Sequence, residues 1–368
     1  MYLLASVLRH HGMQKVFPVA TAKVPIVKFY DPVYNLHADV NVGNALGIEN
    51  SRMIREYMQV DERVRDLILL IKYWAARRDL NDSAEGGTFS SYALTLMLIS
   101  YLQLMNVLPS LQALYPDVEP RSYIIARTNT PLLKSTKSKI DAKTTAASLF
   151  TEYKTRLSNT TPTTPRPKTP PPDTSLDALF LSGKSIVSLT AQQIPTPLSP
   201  GLVLWDVSFL PSTSLPPTFT RRTFPTPYPR AEYYTSLTHL LHGFFHHYAH
   251  THKFNSTCVI SVRCGGTIPL SRAPGLSVRK GTKREGRQVV VVEDPFQLDR
   301  NTAGMVKEVG AVVGEFRRAA KAFEEGIGGG GGGVGFAGAF EKVFRQYNGD
   351  EEEEDGGKGK GKGKTGVV

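Results

Sequence analysis

The sequence predicts an α+β fold, and three features of its 368 residues lead to that class. Apolar residues recur with helical spacing in DERVRDLILLIKYWAARR at 61–78. Two strand-like segments precede it, VPIVKF at 24–29 and an alternating stretch at 38–42. Fifteen of the 25 prolines fall between Pro162 and Pro229, in stretches that cannot form a helix interior or a strand ladder. We therefore expect helical and strand regions that are interrupted by long loops.

The helix at 61–78 places its apolar residues on one face at spacings of three, four and seven, and Asp61 is in position to cap it. The apolar residues are Val64, Leu67, Ile68, Ile71, Trp74 and Ala75. The two early strands are joined by DPVYN, where Pro32 and Asn35 favour a turn. Asp39 then lies within the second strand, on the face opposite its apolar neighbours.

Three later segments complete the predicted elements. SSYALTLMLISYLQ at 90–103 and SLTHLLHGFFHHYAH at 236–250 are typical of helices. QVVVVEDPF at 288–296 is typical of a strand that stops at Pro295.

Composition excludes several classes of protein. A chain of this length with 40% hydrophobic residues suits about two domains and is not disordered throughout. Cys258 and Cys264 provide neither a disulfide framework nor a zinc-ribbon spacing, which favours a reducing compartment. No apolar run reaches the 18 or more residues of a membrane span, so we expect an intracellular protein of the cytoplasm or nucleus with no membrane partner.

The formal net charge of +11 favours a polyanionic partner such as nucleic acid. Six basic residues cluster just before the strand at 288–296, in a stretch that suits contacts to an RNA backbone or forms a solvated loop without a partner. They are Arg272, Arg279, Lys280, Lys283, Arg284 and Arg287.

Several polar residues are candidates for a site. Asp39 within an apolar strand is costly unless it is paired or binds a metal, although an exposed strand position would also explain it. A nucleoside triphosphate could be held by a lysine and a helix-start hydroxyl at its phosphates, by an asparagine at its sugar or base, and by a stacked tyrosine. The residues of these types are Asn50, Ser51, Lys72, Ser91 and Tyr92, and each singly has an ordinary surface explanation.

EDPFQLDRN at 293–301 carries a further group of polar residues. Asp294 and Pro295 end the predicted strand there, and the following turn presents Gln297, Arg300 and Asn301.

These motifs together resemble the noncanonical poly(A)/poly(U) polymerases. VPIVKFYDPVYNLHADVNVGNALGIENSRMIREYMQVDERVRDLILLIKYWA and GTFSSYALTLMLISYLQ are similar to members of that family, and LLHGFFHHYAH and VVEDPFQLDRN to its PAP-associated region and nucleotide recognition motif. The resemblance implies a terminal RNA nucleotidyltransferase, which transfers a nucleoside monophosphate from a nucleoside triphosphate (NTP) to an RNA 3′ end. It also implies a partial polymerase-β-like nucleotidyltransferase domain plus a mostly helical PAP-associated central domain.

The implied domains have approximate boundaries. Residues 1–56 would be the C-terminal part of the catalytic domain, and 57–325 the central domain. Pro/Thr-rich insertions would lie at about 118–200 and 211–230 of the central domain. Residues 326–368 would form a Gly-rich and charged segment, disordered at least from 348.

The resemblance implies that three carboxylates hold two Mg²⁺ or Mn²⁺ ions, and Asp39 matches the third of them. The other two belong to an Asp-x-Asp strand preceded by a Gly-Ser motif, but the 38 residues before Asp39 contain only Asp31. We therefore expect an N-terminally truncated chain that does not catalyse transfer as it stands. Two alternatives are a catalytically dead NTP- or RNA-binding protein and a polymerase-β-like transferase that uses another acceptor.

The resemblance also implies nucleotide contacts. Asn50 and Ser51 would reach the ribose and base, Lys72 and Ser91 the phosphates, Tyr92 would stack beneath the base, and Asp294 would lie at the base edge. One turn after Lys72 the family often has a second basic residue, whereas this chain has Ala76, with Arg77 next to it as a differently aimed substitute.

Arg300 stands where uridylyl-adding members of the family resemble one another in having histidine. Because Arg donates hydrogen bonds and cannot accept them, we hypothesise a preference for pyrimidine nucleotides. Alternatively, Arg300 faces solvent or a phosphate.

The helix at 236–250 carries four histidines at spacings of three, four and four, which places them on one face. They are His239, His242, His246 and His250. The pattern resembles a metal site, but such sites usually draw ligands from more than one element. The interpretation that we favour from sequence is a partly exposed, pH-sensitive helix.

Overall fold

A computed structural model describes twelve stretches of the chain. They are residues 1–21, 24–83, 86–116, 120–127, 186–189, 194, 202–215, 236–273, 275–276, 278, 288–328 and 336–346. Most of the two predicted insertions, the basic stretch from 279 to 287 and the tail from 347 lie outside the described residues. The chain divides into two compact units, one of Met1–Ile54 with Pro116–Ser208 and one of Arg55–Tyr115 with Phe209–Val368. The domain boundaries predicted from sequence stay predictions.

The first unit begins with helix α1 (Tyr2–His10) and an antiparallel sheet of β1 (Gln14–Val19), β2 (Ile26–Asp31) and β3 (Leu36–Asn41), in the order β1-β2-β3. β2 and β3 confirm the two predicted strands.

The turn between β2 and β3 is built by local polar contacts. Asp31 Oδ1 accepts the backbone N–H groups of Val33 and Tyr34 at 2.9 and 3.3 Å. Asn35 adopts a left-handed φ of 53°, which asparagine tolerates better than most residues. The predicted turn is therefore confirmed.

A second antiparallel sheet of the first unit has the order β5-β4-β6 and consists of β4 (Arg121–Arg127), β5 (Ile186–Leu189) and β6 (Leu202–Asp206). β4 and β5 lie within the predicted insertion at about 118–200, and β5 also lies between Pro162 and Pro229, where we expect no strand ladder, so that expectation is wrong at β5. Ile124 and Ile125 of β4, the central strand of this sheet, are both buried.

The second unit is mostly helical. It contains the end of α2 (Ala45–Val60), then α3 (Arg63–Arg77), α4 (Ser91–Leu104), α5 (Leu237–His246), α6 (Val309–Gly328) and α7 (Phe336–Phe344). A two-stranded antiparallel sheet of β7 (Cys258–Ser261) and β8 (Gly266–Pro269) packs against α4. The predicted α+β class is therefore confirmed. No helix in the described ranges is long and apolar enough to cross a membrane.

Helix α3 confirms the predicted spacing, because the six predicted apolar residues are its buried residues. The predicted cap is displaced by one residue: Glu62 occupies the N-cap and its side chain makes no capping bond. Asp61 instead accepts the backbone N–H of Arg63 at 2.9 Å and pairs with the Arg63 guanidinium at 2.6 Å. From outside the helix, its carboxylate still satisfies one of the N–H groups of the first turn.

Helix α4 is buried on all sides from residue 93 to residue 103. Ser90 caps it by accepting the backbone N–H of Ala93 at 3.1 Å. The helix packs against α3, α5, β7 and β8, which explains why its apolar residues are not confined to one face. The predicted helix at 90–103 is confirmed.

The predicted helix at 236–250 changes type before its end. Ser236 caps α5 by accepting the N–H of His239, and α5 continues after His246 as a π-helical turn, His247–Thr251. Such a turn closes hydrogen bonds between residues five apart rather than four, so it is wider than a turn of α-helix.

The predicted strand at 288–296 is reduced to two isolated bridges, Ile260 to Val292 and Glu293 to Asn301. The side chain of Asn301 takes the place of a neighbouring strand: its Oδ1 accepts the N–H of Val292 and its Nδ2 donates to the carbonyl of Val290, both at 3.0 Å. An extended backbone beside β7 is thus satisfied by an amide side chain rather than by a full ladder.

Candidate functional site

Asp39 lies in the middle of β3 and is exposed, and its register partner on β2 is Lys28. Asp39 lies within a strand as predicted, but its apolar neighbours are not a buried face, since Ala38 is exposed and Val40 is only half-buried. In the part of the chain that the structure describes, no hydrogen bond or ion pair engages the Asp39 carboxylate. The carboxylate is therefore available to a ligand. Because it is exposed to solvent, it is also stable without one.

Asn50 and Ser51 lie on α2, where Asn50 is half-buried and Ser51 is exposed. The Ser51 hydroxyl donates to the Gly47 carbonyl one turn earlier at 2.9 Å, a bond that serine makes in helices without any ligand. One turn of the same helix also holds a buried carboxylate that sequence reasoning missed: Glu49 is 2% exposed and pairs with Arg52 at 2.8 Å.

Lys72 is half-buried on α3 and has no hydrogen bond or ion pair within the described residues. Its neighbour Arg77 is engaged elsewhere, because its Nε donates to the Phe344 carbonyl of α7 at 3.3 Å and its guanidinium lies 5.9 Å from the Tyr73 ring. Ala76 is exposed and adds no charge. Lys72 is thus the basic group of this turn that remains able to bind an anion.

Ser91 is the first residue of α4, so the N–H groups of the first helical turn lie beside its side chain. Its hydroxyl donates to Asn81 Oδ1 at 3.1 Å. A helix N-terminus carries partial positive charge and unpaired donors, which suits a phosphate group.

The structure brings Tyr92, Asp294 and Arg300 together from segments about 200 residues apart in the chain. Burial raises the pKa of the Tyr92 hydroxyl, the Asp294 carboxylate raises it further, and Arg300 opposes both effects. Arg300 Nη1 lies 3.4 Å from Asp294 Oδ2. The three side chains form a recognition cluster of one aromatic ring, one acid and one base.

Asp294 is fully buried and holds the backbone of its own turn. Its Oδ1 accepts the N–H groups of Phe296 and Gln297 at 3.1 and 3.0 Å. Burial raises the pKa of Asp294, while these two bonds and Arg300 lower it. Because Asp294 is occupied in this way, Arg300, whose side chain is 42% exposed, is the outward-facing polar member of the cluster.

A second buried acid next to Asp294 was not foreseen. Glu293 is 1% exposed and accepts from Ser261 Oγ at 2.5 Å and from Arg263 Nη2 at 2.9 Å, both contributed by β7 and the turn after it. The consecutive acids of the EDPF motif were its sequence signal. These bonds hold the EDPF segment at 293–296 against β7.

The metal implied by the resemblance does not find its ligands among the described residues. A site with three carboxylates needs two further acids near Asp39. In the described ranges, three potential metal-ligating side chains lie close together at one place, formed by His246, His250 and Glu324. Asp39 is not among them. Asp39 therefore offers one carboxylate of the implied set, and we derive no chemical step through a metal.

Comparison with known proteins identifies two matching segments. Residues 1–59 match the family model of the central palm domain of "Poly(A) RNA polymerase, mitochondrial-like", and residues 236–300 match that of "Cid1 family poly A polymerase". Poly(A) RNA polymerase cid13 of Schizosaccharomyces pombe is 46% identical over 113 residues, which cover 30% of this chain and 20% of that protein. Poly(A) RNA polymerase GLD2 of Mus musculus is 50% identical over 98 residues, which cover 26% and 20%. These alignments span about a fifth of the relatives' length.

Solved structures share the fold. A crystal structure of the Cid1 poly(U) polymerase matches with a TM-score of 0.55 and 19% identity, covering 94% of this chain and 77% of that one. Cid1 in complex with its short product ApU matches with a TM-score of 0.51 at the same identity, covering 94% and 78%. Residues 1–59 and 236–300 are thus similar to the noncanonical poly(A)/poly(U) polymerases, which confirms the resemblance that the motifs indicate.

Proposed function

We propose that this chain acts in terminal RNA nucleotidyl transfer, the reaction in which an RNA 3′ hydroxyl takes a nucleoside monophosphate from an NTP and pyrophosphate leaves. The observation that carries the proposal is the recognition cluster of Tyr92, Asp294 and Arg300. An aromatic ring beside an outward-facing guanidinium offers a stacking surface and a hydrogen-bond donor to a base.

The phosphates would be held by groups of the same unit. Lys72 has no hydrogen bond or ion pair to the residues that the structure describes and supplies a positive charge, and Ser91 supplies a hydroxyl at the N-terminus of α4. Asn50 and Ser51 stay predicted contacts of the ribose and base. Among the residues predicted to bind the NTP, substitutions of Tyr92 and Lys72 therefore give the clearest tests.

We propose further that the 368-residue chain binds nucleotide without extending RNA by itself. The reason is that Asp39 belongs to no group of three or more close ligand side chains among the described residues. This observation favours the second candidate function, an NTP- and RNA-binding protein without catalysis, for the chain taken alone.

Binding and extension are measured separately. Equilibrium dialysis of the purified chain with each NTP should show saturable binding, which Tyr92→Ala weakens by about 5–160-fold, the loss of about 1–3 kcal/mol of stacking. Lys72→Ala should weaken triphosphate binding while sparing the free nucleoside. Lys321→Ala, which removes an exposed lysine of α6, is the control and should change nothing. Failure of every NTP to bind would contradict the proposed function.

Extension is tested by incubating the chain with a short RNA, each NTP and Mg²⁺ or Mn²⁺. We expect no lengthening of the RNA on a sequencing gel. Robust extension that disappears in Asp39→Ala would show that the chain is catalytically competent, and would leave the proposed reaction class intact.

Arg300 is proposed to favour pyrimidine nucleotides. Its guanidinium donates and can pair with the O2 and N3 acceptors of cytosine or O4 of uracil, whereas the exocyclic amine of adenine would present a donor to a donor. The Asp294 carboxylate holds the guanidinium in place at 3.4 Å. Competition among the four NTPs for binding should favour UTP and CTP, and Arg300→Ala should reduce that preference. Identical selectivity in the variant contradicts this role.

A further inference from the structure

Two histidines and a glutamate from different elements meet on the surface of the second unit. His246 ends α5, His250 lies in the π-helical turn that follows, and Glu324 lies on α6. One ligand atom of each lies within 4.8 Å of the ligand atoms of the other two. All three side chains are exposed, so their rotamers can adjust to an incoming ion.

A third imidazole approaches the same carboxylate. His242, one turn before His246, has its Nε2 3.8 Å from Glu324 Oε1, and His246 Nε2 lies 4.0 Å from the same oxygen. Both distances are too long for hydrogen bonds. The His242 Nε2 atom is buried and has no hydrogen-bond partner among the described residues. A tetrahedral zinc ion with bonds of about 2.1 Å separates its ligand atoms by about 3.4 Å. Small changes in the side-chain rotamers would bring the ligand atoms of this group to that separation.

Metal sites usually draw ligands from more than one element, and Glu324 of α6 meets this requirement. Histidines at helical spacing on α5 supply ligands from one element only, whereas Glu324 supplies a ligand from a second. The two helices are packed firmly enough to hold such a site, because Phe245 of α5 lies 6.0 Å from Phe323 and 6.3 Å from Phe316 of α6.

We propose that His246, His250 and Glu324 form a Zn²⁺ site, which His242 can complete as a fourth protein ligand. Imidazole and carboxylate together suit zinc, whereas Mg²⁺ prefers oxygen ligands alone. The site joins α5 and the π-helical turn to α6 on the outer side of their aromatic contacts. It shares no residue with the recognition cluster, and its role is to hold two helices together rather than to take part in nucleotidyl transfer.

Zinc binding is tested by competition between the metal-free 368-residue chain and a chromophoric chelator. We expect one equivalent of tightly bound Zn²⁺ that millimolar Mg²⁺ does not displace. Glu324→Gln and His250→Ala should each weaken binding beyond the roughly 10–100-fold that is typical of losing an outer-shell partner. Co²⁺ in place of zinc should give visible absorption bands in the wild type that both variants lose.

Three controls separate this site from other zinc ligands of the chain. His239→Ala removes a histidine of the same helix whose Nδ1 contacts Ser236, and the double change at the exposed pair His10 and His11 removes two further imidazoles. Replacement of both free cysteines by serine removes the thiols. None of these changes should lower the affinity. Zinc binding that survives Glu324→Gln and His250→Ala, or that disappears with the cysteines, would overturn the proposal.

A stability measurement gives an independent readout. Zinc at about 100 times its dissociation constant should raise the melting temperature by about 4–8 °C in the wild type and leave the Glu324→Gln variant unchanged. Circular dichroism of the zinc-free proteins should be the same, because the substituted side chains are exposed. Equal melting temperatures of the wild type with and without zinc would contradict this role.

Discussion

At the scale of single residues, Asp294 both holds the backbone of its own turn and pairs with Arg300. It is a fully buried carboxylate that accepts two backbone N–H groups and faces Arg300. Asp294→Asn keeps an oxygen for both N–H groups, whereas Asp294→Ala leaves them without an acceptor. We expect the alanine variant to be about 1–3 kcal/mol less stable than the asparagine variant in urea unfolding.

The same residue sets a pH dependence. Because burial raises its pKa in the folded state above 3.8, the folded chain binds this proton more tightly than the unfolded chain does. The free energy of unfolding of the wild type, relative to Asp294→Asn, should therefore fall as pH rises from 3.8 through the raised pKa. A difference that does not vary with pH would show that the carboxyl is not perturbed.

His247 and His252 predict a dependence of opposite sign. Burial lowers the pKa of each to about 4, and the Nε2 atoms of both lack hydrogen-bond partners within the described residues. The folded chain binds these protons less tightly than the unfolded chain, so the stability is complete above about pH 6.5 and is lost as pH falls toward 4. Urea unfolding at pH 7.5 and pH 5 should show a smaller loss in the His247→Gln/His252→Gln variant than in the wild type. Glutamine at the exposed His10 and His11 should leave the loss unchanged.

At the scale of elements, the contact of α4 with α5 depends on Gly243. A Cβ atom added there would overlap the hydroxyl of Tyr101 on α4. Alanine normally favours a helix over glycine by about 1 kcal/mol, but here the overlap should reverse the sign. We expect Gly243→Ala to lower the free energy of unfolding by about 1–3 kcal/mol, as overpacked cores do.

Gly314 provides the matched control for this prediction. It lies within α6, and the nearest atom to an added Cβ is Arg318 Nη2 at 4.0 Å. Gly314→Ala should leave stability unchanged or raise it by up to about 1 kcal/mol. Equal effects of the two substitutions in thermal unfolding would contradict the proposed overlap.

Elements also differ in how well local sequence predicts them. α3 buries one face, so its spacing indicates both the helix and its buried residues. The segment 288–296 has the β-branched residues of a strand, yet the side chain of Asn301 replaces its ladder on one side. That substitution depends on a turn that returns Asn301 to Val292, which a residue pattern does not encode.

At the scale of the whole molecule, the second unit is assembled from two stretches far apart in the chain, and Phe316 joins them. Its ring lies 5.1 Å from Trp74, 5.9 Å from Phe244 and 6.3 Å from Phe89. Phe316→Ala should cost about 3–5 kcal/mol of stability, because it opens a cavity among aromatic rings that belong to several helices.

Urea unfolding followed by tryptophan fluorescence measures this effect, since Trp74 is 1% exposed and should report on the unit. Phe17→Ala is the control: that ring is 64% exposed on β1, and its removal should change stability by less than about 0.5 kcal/mol. A loss of under 1 kcal/mol in Phe316→Ala would show that the aromatic core does not join the two stretches.

The sequence by itself determined the local features of this protein: the buried face of α3, the turn after β2, the helix at 90–103 and the motifs that resemble noncanonical poly(A)/poly(U) polymerases. Spacing and turn chemistry act over a few residues, so they can be read without a partner.

Only the tertiary structure decided which distant residues meet. Tyr92 joins Asp294 and Arg300, Glu293 joins Arg263, and Glu324 joins the histidines of α5 because helices and extended segments pack side by side. The sequence interpretation of His246 and His250 as members of a merely pH-sensitive helix lacked Glu324, which lies 74 residues beyond His250. The packing of α6 against α5 brings Glu324 beside these histidines, and packing depends on the shape of whole surfaces rather than on residue spacing.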